Sequence, residues 1–165
     1  MINKNRGISM QMRRKDKAMD ENEIQQMLDK YDVGRLGTCY DNIPYITPVH
    51  YILLDGCIYL HCAQEGHKIV NIKQNENVCF EVDGMSSIVQ NENPCSMSTN
   101  YESVVIFGKA FIINEEEIKL DILKKIVDKY SSDKTISAKL QINHILTTCV
   151  IKIEIETITG KKSKQ

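Results

Sequence analysis

Apolar and polar positions alternate along this chain with two different periods, and the breakers between them divide it into elements. Ile24, Met27, Leu28 and Tyr31 recur at the spacing of one helix face. Asp20 stands at the cap position with Glu23 three residues on, so a helix is expected to begin there. After Gly34 the period becomes strand-like. Residues 35–40 read as a first strand, Asp41-Asn42 as a turn and residues 45–54 as a second strand. Asp55-Gly56 is a strong hairpin signal, and residues 57–62 form the third strand. Gly66 breaks the chain, and residues 67–74 read as a short helix. Val78, Phe80 and Val82 then alternate with Cys79, Glu81 and Asp83, as in a half-buried strand.

Residues 84–100 read as a long polar loop. Residues 103–114 form a long apolar strand with Gly108 inside it, which marks a bulge or a close approach. Three glutamates from Glu115 open a helix whose apolar face carries Ile118, Ile122, Ile126 and Tyr130, with Leu123 and Val127 beside them. A further short helix is expected over residues 136–144. In the last strand Cys149, Ile151, Ile153 and Ile155 face one way, and Lys152, Glu154 and Glu156 the other.

Six strands joined by tight turns or short helices predict a mainly β (α+β) fold: a six-stranded antiparallel barrel with flanking helices. Closure removes exposed edges. A doubly wound parallel sheet needs crossovers that the first three strands lack. The expected organisation is a flexible lead-in over residues 1–12, one domain over 13–160 and a frayed basic tail over 161–165, with no internal repeat.

Composition narrows the partners. The 165 residues carry 21 basic and 22 acidic side chains, for a net charge of −1. Such a chain has no global field with which to gather nucleic acid or an anionic membrane. The basic run from Arg13 to Lys17 reads as a solvated stretch before a helix. No apolar run approaches the roughly 20 residues of a membrane span, and the start lacks a secretory apolar region. Six cysteines without a CxxC pair read as reduced thiols, which points to the cytoplasm. Cys57, His61 and Cys62 come nearest to a zinc pattern but lack its paired, repeated spacing.

Neither common phosphate cradle is present, and there is no GxSxG or HExxH motif. The unusual segment runs from Tyr59 to Lys68. A strand ends, small residues and Gly66 follow, and Lys68 sits in the first helical turn. Glycine lets backbone approach a ligand, and helix-start amides with a lysine favour an anion. Pro44 and Pro48 cannot donate to a ladder, so their strand is expected to be an edge or interrupted there. An interrupted strand beside a glycine turn leaves backbone groups free for a planar heterocycle. Near Tyr101 and Ser103 the polar segment rejoins a strand, where hydroxyls can reach a ligand or a second subunit.

A resemblance rests on the order of these segments: Arg13-Arg14-Lys15-Asp16, Val33-Gly34-Arg35-Leu36-Gly37-Thr38, Pro44-Tyr45-Ile46-Thr47-Pro48-Val49-His50-Tyr51, Ile58-Tyr59-Leu60-His61-Cys62-Ala63, Gly66-His67-Lys68-Ile69, Val78-Cys79-Phe80-Glu81-Val82-Asp83 and Tyr101-Glu102-Ser103-Val104. Together they resemble the pyridoxamine 5'-phosphate oxidase-like, FMN-binding superfamily, and within it the branch of the 5-nitroimidazole-resistance (Nim) flavoproteins. The resemblance implies a split β-barrel homodimer with FMN at the subunit interface. It implies that Thr47, Pro48, Val49, His50 and Tyr51 lie along the flavin ring. It implies that His61, Cys62, Ala63, Gly66, His67 and Lys68 hold the ribityl phosphate, and that Tyr101 and Ser103 come from near the partner subunit.

Two departures stand out. Gly66-His67-Lys68 replaces the Gly-Arg-Lys common in relatives, and an arginine fork binds phosphate bidentately where histidine does not. The chain also ends without the arginine-bearing segment of the vitamin-B6 oxidases, which argues against that reaction. The resemblance implies an FMN-dependent oxidoreductase acting on a small molecule, with nitroaromatic compounds as the substrate class and His61 as candidate proton donor. A flavin-nucleotide carrier or sensor without turnover is the alternative, and haem binding through His50 or His144 ranks third.

Overall fold

The computed structural model describes residues 12–163. Most of the expected lead-in and the last two residues of the expected tail lie outside them. The strands are β1 (Val33–Tyr40), β2 (Ile43–Leu54), β3 (Cys57–Ala63), β4 (Asn77–Val89), β5 (Ser98–Ile113) and β6 (Thr148–Ser163). All pair antiparallel, in the closed order β1-β2-β3-β6-β5-β4. The barrel closes where β1 meets β4, through Arg35↔Glu81, Leu36↔Phe80 and Gly37↔Cys79. The expected split-barrel class is the observed one.

Leu36, Tyr51, Ile58, Leu60, Phe80, Val82, Val104, Ile106, Ile151 and Ile153 fill the barrel and are fully buried. Each large apolar side chain so buried contributes about 1.5–3 kcal/mol. Helix α1 (Glu21–Lys30) covers one end. Its start is the expected capping box: Glu23 N donates to Asp20 Oδ1 at 2.9 Å, and Asp20 N donates to Glu23 Oε2 at 3.1 Å. Helix α3 (Glu116–Tyr130) lays Ile122, Leu123 and Ile126 on Ile52, Ile145 and Val150 in a second apolar cluster. Ile118, expected on that face, is exposed, and Lys119 is buried one position on. The expected helix near residues 136–144 is two short 3-10 turns, Ser137–Lys139 and Ile142–Ile145.

Two further expectations are corrected. The polar segment 84–100 is mostly sheet: β4 continues to Val89 and β5 begins at Ser98, leaving only residues 90–97 as connection. The tail is not frayed through its first three residues, because Lys161, Lys162 and Ser163 pair with Ser103, Glu102 and Tyr101. Side chains reinforce the ladder there. Lys162 Nζ forms an ion pair with Glu23, and Lys17 Nζ donates to Ser163 Oγ at 2.7 Å. Main-chain hydrogen bonds hold a ladder whatever the side chains, so this polar ribbon carries no apolar period to read. Gly108 sits at an observed register shift between β5 and β6. No described helix is long and apolar enough to cross a membrane.

Candidate functional site

The barrel has an opening along β2. Residues 43–50 of β2 pair with β1 alone, and pairing with β3 begins only at Tyr51↔Leu60. β3 pairs with β6 along its whole length, and from His61 onward with β6 alone. The half of β2 that carries Pro44 and Pro48 is therefore a free edge on one side, as those prolines led us to expect. His50 and His61 are the first positions past the last β2–β3 pair, so they flank the point where the sheet opens.

At the changeover, α3 supplies the missing partner. The Tyr51 main-chain N–H donates to Tyr130 Oη at 2.9 Å, and Tyr130 Oη lies 2.5 Å from the Tyr51 carbonyl. Lys129 Nζ donates to the carbonyls of Leu28, Tyr31 and Tyr51 at 3.2–3.4 Å and stands 4.4 Å above the Tyr51 ring. Burial holds its ammonium below the ordinary value. Sequence reasoning missed both residues' roles. Tyr130 read simply as part of a helix face.

A groove of about 460 Å³ occupies the opening, lined by Val33, Pro48, Val49, His50, His61, Cys62, Ala63 and Lys68. Its size falls within the range of small-molecule clefts. Seven of the thirteen residues named from sequence line it. Gly66 and His67 adjoin it at the start of α2 (His67–Gln74), and the His67 ring lies 5.4 Å from that of Tyr45. Thr47 precedes Pro48, and among the described residues its Oγ1 is the buried side-chain polar atom with no hydrogen-bond partner.

Helix α2 is fixed from below. Ile69 and Ile72 are buried, Asn71 Nδ2 donates to Thr38 Oγ1 at 3.0 Å, and Asn75 Nδ2 donates to the Cys39 carbonyl at 2.9 Å. These contacts aim the first turn of the helix at the groove. Gly66 caps that turn at φ +123° with no side-chain cap, and a Cβ there would meet nothing within 4 Å. The space beside Gly66 at this helix start is thus open.

Other named residues are not brought to the groove. Tyr51 points the opposite way: its side chain is fully buried, its hydroxyl donates to the Leu28 carbonyl at 2.9 Å, and its ring meets Phe80 edge-on. Tyr101 and Ser103 lie on β5, where Tyr101 is flanked by Lys17 and Lys161. His144 is exposed and accepts from Gln141 N at 3.2 Å. A second, larger cavity of about 540 Å³ is lined by Gln64, Ile69, Lys73, Phe111, Lys119 and Cys149 among others, and by none of the thirteen. The groove is the better site, because it joins unpaired strand edge, cation and two imidazoles.

His50 Nδ1 lies 3.1 Å from the Asp32 carbonyl, and its ring meets Tyr130 edge-on at 4.8 Å. A carbonyl only accepts, so Nδ1 carries the proton and Nε2 of the neutral ring is left as an acceptor. His61 is reached by solvent but hemmed in by the groove walls. Partial burial, and then the nearby His50, hold its imidazole below the ordinary value. The neutral form is thereby favoured in the folded state. The unfolded chain takes up its proton first, near pH 6.5, so this contribution is complete above about 6.5 and is lost as the pH falls below it. His61→Gln should flatten the fall in stability as the pH drops below about 6.5 in urea titrations. An unchanged slope would assign the titration elsewhere.

These features define a split β-barrel whose opened seam joins an unpaired strand edge, a lysine and two imidazoles. Residues 20–162 match the family model described as pyridoxamine 5'-phosphate oxidase, and the chain belongs to that family. No curated protein matches the chain. Among solved structures it is similar to a protein from Bacteroides thetaiotaomicron described as a 5-nitroimidazole antibiotic resistance protein. That pair is 26% identical over 87% of this chain and 85% of the other, with a TM-score of 0.76. A flavocytochrome from Azotobacter vinelandii is 20% identical over 90% of this chain and 70% of its own, with a TM-score of 0.80. A protein from Mycobacterium smegmatis described as binding FAD and haem is 15% identical over 90% and 74%, also at 0.80. The last two likenesses concern the fold.

Proposed function

We propose that this protein is an FMN-binding flavoprotein and an oxidoreductase of the Nim-like type, with nitroaromatic compounds as its substrate class. The observation that carries this reading is the seam groove, which puts an unpaired strand edge at one side and a lysine-bearing helix start at the other. Bound FMN would supply the electron and hydride transfer. The chain's own residues do the rest. Lys68 and the first-turn amides of α2 hold the phosphate, and Gly66 leaves room for it. The free edge of β2 from Thr47 to His50 borders the ring. His61, kept neutral, accepts and returns a proton at its imidazole. The resistance-protein relative and family membership support the reading.

The working unit in this proposal is a homodimer. Ile43 and Ile46 on the β1–β2 hairpin are 67% and 66% exposed, with Tyr40 and Tyr45 beside them, and apolar area of this kind favours a partner surface. Tyr101 and Ser103 would then serve the groove of the second copy. Haem is a second reading, favoured by His50, which lines the groove with its Nδ1 turned to the Asp32 carbonyl.

The test is the visible spectrum of protein purified without added cofactor, with the released chromophore identified by mass. FMN is expected. A Soret band would turn the reading to haem. A colourless protein that fails to take up added FMN would overturn it. With FMN bound, failure to cycle between a reduced nicotinamide donor and a nitroaromatic acceptor would leave a carrier or sensor.

A further inference from the structure

The wall between the two cavities holds a pair of cysteines. Cys62 on β3 and Cys149 on β6 are direct cross-strand partners. Opposed residues of an antiparallel ladder have Cα atoms about 4.5 or about 5.5 Å apart, depending on the pair type. Both separations fall within the roughly 4.4–6.8 Å that a disulfide requires. Opposed side chains also share a face of the sheet. Here that face is the inner one: Cys149 belongs to the barrel core and Cys62 packs against it, two positions beyond the core pair Leu60↔Ile151. The two thiols are near enough to shift each other's proton affinity in opposite directions. Cys62 opens onto the seam groove and Cys149 onto the larger cavity. The other four cysteines do not oppose one another in any ladder.

We propose that Cys62 and Cys149 are a two-electron redox site, a dithiol that closes reversibly to a disulfide by exchange with a small anionic disulfide. Cys149 is the attacking sulfur. The adjoining Cys62 thiol, and then the positive charges of Lys119, Lys73 and Lys68, favour its thiolate against the effect of burial, and Lys73 and Lys119 line the same cavity as Cys149. In the neutral state Cys149 Sγ instead reaches its neighbour Val150's carbonyl at 3.9 Å, a weak bond that ionisation gives up. The Cys62 thiol is pushed up by holding its proton toward Cys149 and by burial, which suits the resolving role. Lys73 and Lys119 line the cavity from which a disulfide would approach Cys149, and they favour an anionic one.

The chemistry balances. The Cys149 thiolate attacks one sulfur of the small disulfide, that S–S bond breaks, and one thiolate leaves and takes a proton. Cys62 then loses its proton and attacks the Cys149 sulfur of the mixed disulfide, expelling the second small thiol. The protein dithiol is oxidised by two electrons, and one small disulfide is reduced to two thiols. Because Cys62 lines the groove, closure also changes that wall.

The test is peptide mapping after incubation with oxidised glutathione, under alkylating and non-reducing conditions and without added flavin, so that it stands apart from the cofactor reading. The expected result is one cross-linked species joining Cys62 to Cys149, with two of the six thiols lost and both restored by dithiothreitol. Cys62→Ser should stop at a stable glutathione adduct on Cys149. Six free thiols after incubation, an adduct on the wild-type protein that never closes, or a linkage involving Cys39, Cys57, Cys79 or Cys95 would each overturn the proposal.

Discussion

Gly108→Ala is expected to destabilise the fold by about 3 kcal/mol, the upper end of what overpacking usually costs. The residue sits where β5 and β6 change register, and a Cβ built on it would fall under 3.0 Å from the Glu154 carbonyl group. That neighbour is backbone in the central ladder of the barrel, so no side chain can swing aside. Against a total stability of about 5–15 kcal/mol, the loss is large. For a chain of this size it corresponds to a fall in melting temperature of roughly 6–12 °C. Gly56→Ala is the control. That glycine has φ +72° and open space around it, so only the left-handed backbone is strained, at about 1–2 kcal/mol. A Gly108→Ala melt within a degree or two of the parent would mean that the β6 backbone yields.

With the proposed FMN site, Lys68→Ala is expected to weaken FMN binding by about 10- to 100-fold, since a charge-assisted phosphate contact is worth about 1.5–3 kcal/mol. Among the described residues Lys68 is the one lysine or arginine lining the groove, and His67 stands where an arginine would have shared the work. Riboflavin, which has no phosphate, should bind wild type and variant alike. Lys68→Arg should keep most of the affinity, because its fork also bonds phosphate oxygens. Fluorescence titration of both flavins against the three proteins reads this directly. Equal FMN affinity in Lys68→Ala would place the phosphate elsewhere.

The parts of this molecule that were legible in the sequence are those that local rules govern. The Asp20–Glu23 box, the Asp55-Gly56 turn, helix α2 and the alternation of β6 each depend on residues a few positions apart. The polar ribbon of β4, β5 and the end of β6 was not legible, because its ladder is held by main-chain bonds and by remote pairs such as Lys162 with Glu23. Tyr51 shows how sharp the limit is. One step along a strand reverses the face, so His50 borders the groove while Tyr51 fills the core.

The sequence by itself determined most of the elements, the barrel class and the helix start at Gly66-His67-Lys68, since turn chemistry and hydrophobic period act over short distances. Only the tertiary structure decided where the sheet opens, that His50 and His61 flank that opening, and that Cys62 faces Cys149. Those juxtapositions follow from strand register, which is set by the packing of the whole barrel and by no residue's neighbours in the chain.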